Sequence, residues 1–137
     1  MHKEKIQSQI EIIGKYCCLV HCYIYCCGIE PDTKEYFKIT YDAIKAGADV
    51  SGVEWDCTVS NPEKFIKWLT GRSVRVEKKV ITSLKDIKDP APVRFVASGY
   101  TPHFVVVENG AIVYDGYSNS QSVAKGRPLD ARIIKLR

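Results

Sequence analysis

Apolar residues run almost unbroken from Cys17 to Cys27, fall into spacings of three and four over the next forty residues, and then gather into short valine-rich blocks. The first run, Cys-Cys-Leu-Val-His-Cys-Tyr-Ile-Tyr-Cys-Cys, is interrupted only by His21 and closes at Gly28. It predicts a helix buried on most sides and stopped by a C-cap glycine. Pro31-Asp32-Thr33 opens a second helix to about Ala46, with Tyr36, Ile39, Tyr41, Ala43 and Ile44 apolar and Gly47 as its stop. Ala48 to Thr58 reads as a loop carrying Trp55. Ser60-Asn61-Pro62-Glu63 sets a capping residue before a first-turn proline and starts a third helix, whose stripe Phe65, Ile66, Trp68 and Leu69 ends at Gly71. Both Trp55 and Trp68 are expected in the core.

After Gly71 the period changes to two. Ser73 to Ile81 alternates through Val74, Val76 and Val80 with charges between, which predicts a strand with one wet face. Thr82 to Pro92 is a polar connection with a short helix at Leu84 to Ile87. The blocks at 93–97, 103–107, 111–115 and 131–136 bring the strands to about five. The pattern is therefore α+β, with helices packed on an antiparallel sheet, and the absence of repeats and low-complexity segments makes residues 1–137 a single domain.

Glu108-Asn109-Gly110 marks a hairpin between two of these strands, and its turn decides which side chains meet. A two-residue Asn109-Gly110 turn pairs Glu108 with Ala111 and sets His103 opposite Gly116, leaving Asp115 on the other face. A three-residue loop pairs Val107 with Ala111 and sets His103 opposite Asp115. Only the second brings Asp115 to His103, and strands apolar on both faces do not choose between them.

Composition changes little in this picture. The 45% hydrophobic and 26% charged content is that of an ordinary globular domain, and a formal charge of +4, from 20 basic and 16 acidic residues, is scattered. Nucleic acid is not the expected partner. The amino-terminal segment lacks a signal-peptide pattern, and the apolar run from Tyr16 to Gly28 is too short to span a bilayer, so no membrane partner and a cytoplasmic location are expected.

The cysteines change more. Five of the six, Cys17, Cys18, Cys22, Cys26 and Cys27, fall within eleven residues, so only Cys57 offers a distant bridge and a secreted disulfide scaffold is not expected. Zinc would need two converging ligand pairs; Cys18, His21 and Cys22 have helical spacing, but no second cluster completes them. No metal or other cofactor is expected. Cys22, Cys26 and Cys27 read as small apolar residues of a buried helix. Cys17 and Cys18 stand at its first turn, where unpaired N–H groups and the helix dipole stabilise a thiolate and can serve a developing oxyanion. Of the histidines, His2 lies in a terminal segment and His21 in the buried helix. His103 opens an apolar strand at the sheet edge, where it can act as a base, and Asp115 is the candidate to orient it.

This order of elements, a cysteine at the start of a buried helix, then helices, then His-Phe-Val-Val-Val, a glycine turn and Ile-Val-Tyr-Asp-Gly-Tyr, resembles the papain-like cysteine peptidases in their compact bacterial form. It is similar to bacteriocin-processing peptidases and to small peptidase-like proteins of phages and prophages, over most of the chain from Tyr16. The resemblance implies a papain-like fold with the cysteine helix at its centre and a Cys-His-Asp triad. It makes Cys18 the nucleophile with Cys17 at a glycine position; a shift of one makes it Cys17. Gly116 stands where proline is common, and the oxyanion-hole glutamine has no clear equivalent, Gln7 and Gln9 lying well upstream. The expected function is thiol hydrolysis of a peptide or peptidoglycan-like amide bond. A papain-like protein that binds without cleaving, and a metal or redox module built on the cysteines, are the alternatives.

Overall fold

A computed structural model describes residues 17–116 and 121–137. His2, Gln7, Gln9 and the Tyr117-Ser118-Asn119 stretch after the candidate aspartate lie outside the described residues. Helix α1 spans Cys18–Cys26, with Cys17 as its N-cap. Its chain of apolar side chains is long enough to bury Val20, His21, Cys22, Tyr23 and Ile24 together. Gly28, at φ 85°, lets the chain turn out of the helix in a conformation that a Cβ would resist. Helix α2 spans Thr33–Ala46 and is capped by Asp32, whose carboxylate accepts from the Glu35 N–H. Asn61 does the same for Lys64 at the start of α4, Pro62–Thr70.

Between them lies a difference from the sequence reading. Residues Ala48–Ser51 form a short helix, α3, and Val53 and Val59 make an isolated bridge, so this stretch is not simply a loop. Four residues are too few for periodicity to show. Trp55, at its tip, is 74% exposed and not in the core, because the bridge closes beneath it through the valines. Trp68 is half-buried, stacked on Phe65 at 6.0 Å.

Five strands, β1 (Val74–Val80), β2 (Ala91–Val96), β3 (His103–Glu108), β4 (Ala111–Tyr114) and β5 (Arg127–Leu136), form one antiparallel sheet in the order β1-β5-β2-β3-β4. A turn of 3-10 helix at Leu84–Asp86 and a four-residue helix α5, Gln121–Ala124, sit in the connections. The α+β layout read from the sequence is thus the layout of the fold. One difference is Val80, expected on the dry side of β1 but 74% exposed, since β1 is an edge strand whose far end is left uncovered.

The central strands are apolar on both faces because two cores meet them. One gathers α1, α2 and α4 against Val74, Val76, Tyr114 and Ile134. The other gathers Val93, Phe95, Val105, Val107 and Ala131 with Ile81, Ile87 and Ile133. Consecutive Ile133 and Ile134 therefore serve opposite cores, as alternation along a strand requires. Truncating a fully buried side chain such as Ile24 to Ala is expected to cost roughly 2–5 kcal/mol.

Candidate functional site

Helix α1 packs across β2 and β3, which brings its N-terminus to the start of β3. Cys18 is the first helical residue and half-buried, and the N–H groups of this turn have no carbonyl of the helix to bond. His103 is the first residue of β3 and 5% exposed. Its Nε2 stands 2.7 Å from Asp115 Oδ1, and Cys18 is near enough to the imidazole to raise its pKa together with Asp115. Burial alone would push the His103 pKa down, but the hydrogen bonds and charges of Cys18 and Asp115 outweigh it and hold the value above the ordinary one.

The hairpin reaches this contact by neither of the two registers considered. Asn109 and Gly110 form a two-residue turn, both with positive φ (51° and 78°), the signature of the type I′ turn that Asn-Gly favours. Their N–H groups donate to the carbonyls of Lys88 and Ile87, which fixes the turn against the 3-10 segment. Glu108 pairs with Ala111 and Val107 with Ile112, but the next pair is Val106 with Tyr114. Val113 is therefore an extra residue, a β-bulge, and it restores the parity that the short turn removed. Tyr114 lies opposite Val106, and Asp115 follows it just past the end of β4, where its carboxylate meets the His103 ring.

Cys17 does not share this environment. Its sulfur is bonded to that of Cys57, with the Cα atoms 5.2 Å apart, and it is fully buried, so it has no thiolate to offer as a nucleophile. Cys17, expected as one of two candidates, is therefore corrected to a bridging residue, and of the pair Cys18 keeps a free thiol. Cys22 is buried, and burial pushes its thiol well up; Cys26 is pushed up by the same cause, and Cys27 to about 11. These are packing residues, as their apolar setting foretold.

Cys18 lies on the rim of two cavities. One, of about 360 Å³, is walled by His21, Tyr36, Phe37 and Tyr114 and reaches Asp115. His21 stacks on Phe37 at 5.7 Å, and burial pushes its pKa down to about 4, so it stays neutral at ordinary pH. The other, of about 520 Å³, opens toward Asp56, Arg94, Phe104 and Arg132. Among the described residues no group of three or more His, Cys, Asp or Glu side chains is placed to share a metal ion, the Cys18, His21 and Cys22 set included. None of the helices among them is long and apolar enough to cross a membrane.

No known protein family, curated protein or solved structure matches the chain. The site is thus characterised by its geometry. Arg94 and Arg132 were not singled out in the sequence, and Cys57, noted there as the residue that could form a distant bridge, was not assigned to Cys17. A lone arginine inside the apolar block Val93-Arg94-Phe95 is the signal that could have marked the first, and Asp130-Ala131-Arg132, with opposite charges two apart on a strand, the second.

Proposed function

We propose that the chain is a papain-like cysteine hydrolase of peptide or amide bonds, in which Cys18 is the nucleophile, His103 the proton carrier and Asp115 the group that fixes the imidazole. The observation that supports this reading is the His103–Asp115 pair at 2.7 Å with Cys18 beside the imidazole, brought together from a helix start, a strand start and the end of the following strand. Three such groups meeting beside open cavities is the arrangement that nucleophilic catalysis requires.

The steps follow from the geometry. His103 takes the thiol proton, and the Cys18 sulfur attacks the carbonyl carbon of the amide. The first-turn N–H groups of α1 are the nearest backbone donors for the oxygen as it gains charge. His103 then returns the proton to the leaving amine, and a water molecule, activated by the same imidazole, releases the acid from the thioester. Asp115 holds the ring and offsets its charge while it is protonated. The papain-like fold, a phage or bacterial setting and a cytoplasmic location belong to the same proposal. The Cys17–Cys57 bond sets a condition on the last, since cytosolic thiol pools reduce most accessible disulfides, and this one is buried.

The test is hydrolysis of a mixed peptide library followed by mass spectrometry. The wild-type protein is expected to produce new termini that the Cys18→Ala protein does not; equal product patterns from folded samples of both would leave a fold without this chemistry.

A further inference from the structure

The cavity on the Arg94 side of Cys18 is built unlike its neighbour. Arg94 lies directly opposite Phe104 on β3 and opposite Asp130 on β5, and Arg132 follows Asp130 by two residues, so all four side chains share one face of the sheet. Asp130 is 1% exposed and accepts from Arg94 Nη2 at 2.6 Å and from Arg132 Nη1. Arg132 also lies over the Phe104 ring, 5.2 Å from its centre. These contacts lock two guanidinium groups in place at the wall of the cavity that Cys18 borders.

One carboxylate does not satisfy two guanidinium groups. Each carries five N–H donors in a rigid fork, and Asp130 takes one from each in the bonds described. Arg94 Nε is buried with no acceptor, a direct sign that donors exceed acceptors here. The charges agree: Arg94, Arg132 and Lys78, whose Nζ is 3.9 Å from Asp130, stand against Asp130 and against Asp56 across the cavity. Asp56 makes no ion pair with either arginine among the described residues, and its carboxylate accepts from the Thr58 N–H instead. The cavity on the other side of Cys18 has no Lys or Arg among its described lining residues, but it does have Asp32 and Asp115. The two cavities that share Cys18 therefore differ in charge, one lined by two arginines beside Asp56 and Phe104, the other by Asp32 and Asp115 among aromatic rings.

We infer that Arg94 and Arg132 form an anionic subsite, so that the substrate carries a carboxylate on that side of the bond attacked by Cys18 and an apolar or aromatic group on the other. An Arg pair presents the paired donors that a carboxylate accepts, and the pre-set side chains lose little freedom on binding. This rests on the cleft being the substrate site proposed above. Its test reads binding rather than turnover, so an inert Cys18 and a missing carboxylate preference give different results.

The probes are the N-acetylated, C-amidated pentapeptides Ala-Ala-Glu-Ala-Ala and Ala-Ala-Gln-Ala-Ala, titrated into the full chain carrying Cys18→Ala. The Glu peptide is expected to bind about tenfold tighter or more, and added Arg132→Gln to bring the two within about twofold. Because Arg132→Gln also touches buried Asp130, a second variant leaves that cluster intact. Asp56→Asn removes the opposing carboxylate and is expected to widen the Glu-to-Gln ratio several-fold. Equal affinities, no binding of the Glu peptide at millimolar concentration, or a ratio unmoved by both substitutions in folded protein would overturn the inference.

Discussion

His103 Nε2 and Asp115 Oδ1 stand 2.7 Å apart even though the hairpin joining their strands turns in only two residues, which by itself would put them on opposite faces. The extra residue, Val113, supplies the missing step in parity. A single-residue bulge at an edge strand thus lies between the turn and the aspartate that meets the histidine.

Deleting Val113 is accordingly expected to return β4 to plain pairing and carry Asp115 to the Phe104 side. Turnover should fall to the level of Asp115→Ala, roughly a hundredfold or more below wild type, while circular dichroism stays native because β4 is a short, exposed edge strand. Val113→Ala keeps the residue count and should change kcat/KM by less than about twofold. Activity retained in the deletion, or lost equally in Val113→Ala, contradicts the bulge argument.

At Asp115 itself the charge and the hydrogen bond can be separated. Asp115→Asn still accepts a bond from the ring but no longer offsets the imidazolium, so turnover should slow; Asp115→Ala leaves the ring unheld and should cost more. An Ala variant as active as the Asn variant would assign the orienting role elsewhere.

Much of this site could be read from the chain because its signals are local. The helix starts at Asp32 and Asn61, the hairpin at Glu108-Asn109-Gly110 and the valine blocks each act within a few residues and appear where they were expected, while the choice between a two- and a three-residue turn stayed open. What escaped was decided at a distance. Nothing near Cys17 shows that Cys57 will reach it from 40 residues away, and so the nucleophile could not be narrowed to Cys18. The bulge escaped because Ala111-Ile112-Val113-Tyr114 is apolar at every position and carries no alternation against which an extra residue would stand out. Trp55 was misread because an average preference for burial says nothing about a bridge that closes beneath it.

Opening the Cys17–Cys57 bond separates structure from chemistry. Cys57→Ser is expected to lower stability by about 2–4 kcal/mol in urea unfolding under non-reducing conditions, while Cys18 still reacts with an electrophile. Loss of reactivity in a protein that remains folded would mean that the bridge positions the nucleophile.

Buried His21 and His103 are expected to pull the pH dependence of stability in opposite directions. His21 titrates near 4 in the fold and near 6.5 unfolded, so from about pH 6.5 downward the unfolded chain binds a proton that the native state refuses. Stability should fall by about 1.4 kcal/mol per pH unit, roughly 3 kcal/mol by pH 4. His103 is raised, so its stabilisation is fully present below about pH 6.5 and is lost as pH climbs through the raised value. Urea midpoints from pH 4 to 8 should show a flatter acid limb for His21→Leu and a flatter neutral-to-alkaline slope for His103→Gln. Profiles parallel to wild type would contradict these assignments.

The central claim is that His103 activates Cys18 and no other cysteine, and iodoacetamide labelling of the native protein from pH 5 to 9, mapped by mass spectrometry, tests it most directly. The account predicts that Cys18 is alkylated first at neutral pH, ahead of Cys26 and Cys27, whose thiols burial pushes up, and that His103→Ala slows it at least about tenfold. Labelling of Cys18 no faster than Cys27, or at a rate indifferent to His103→Ala, would contradict it.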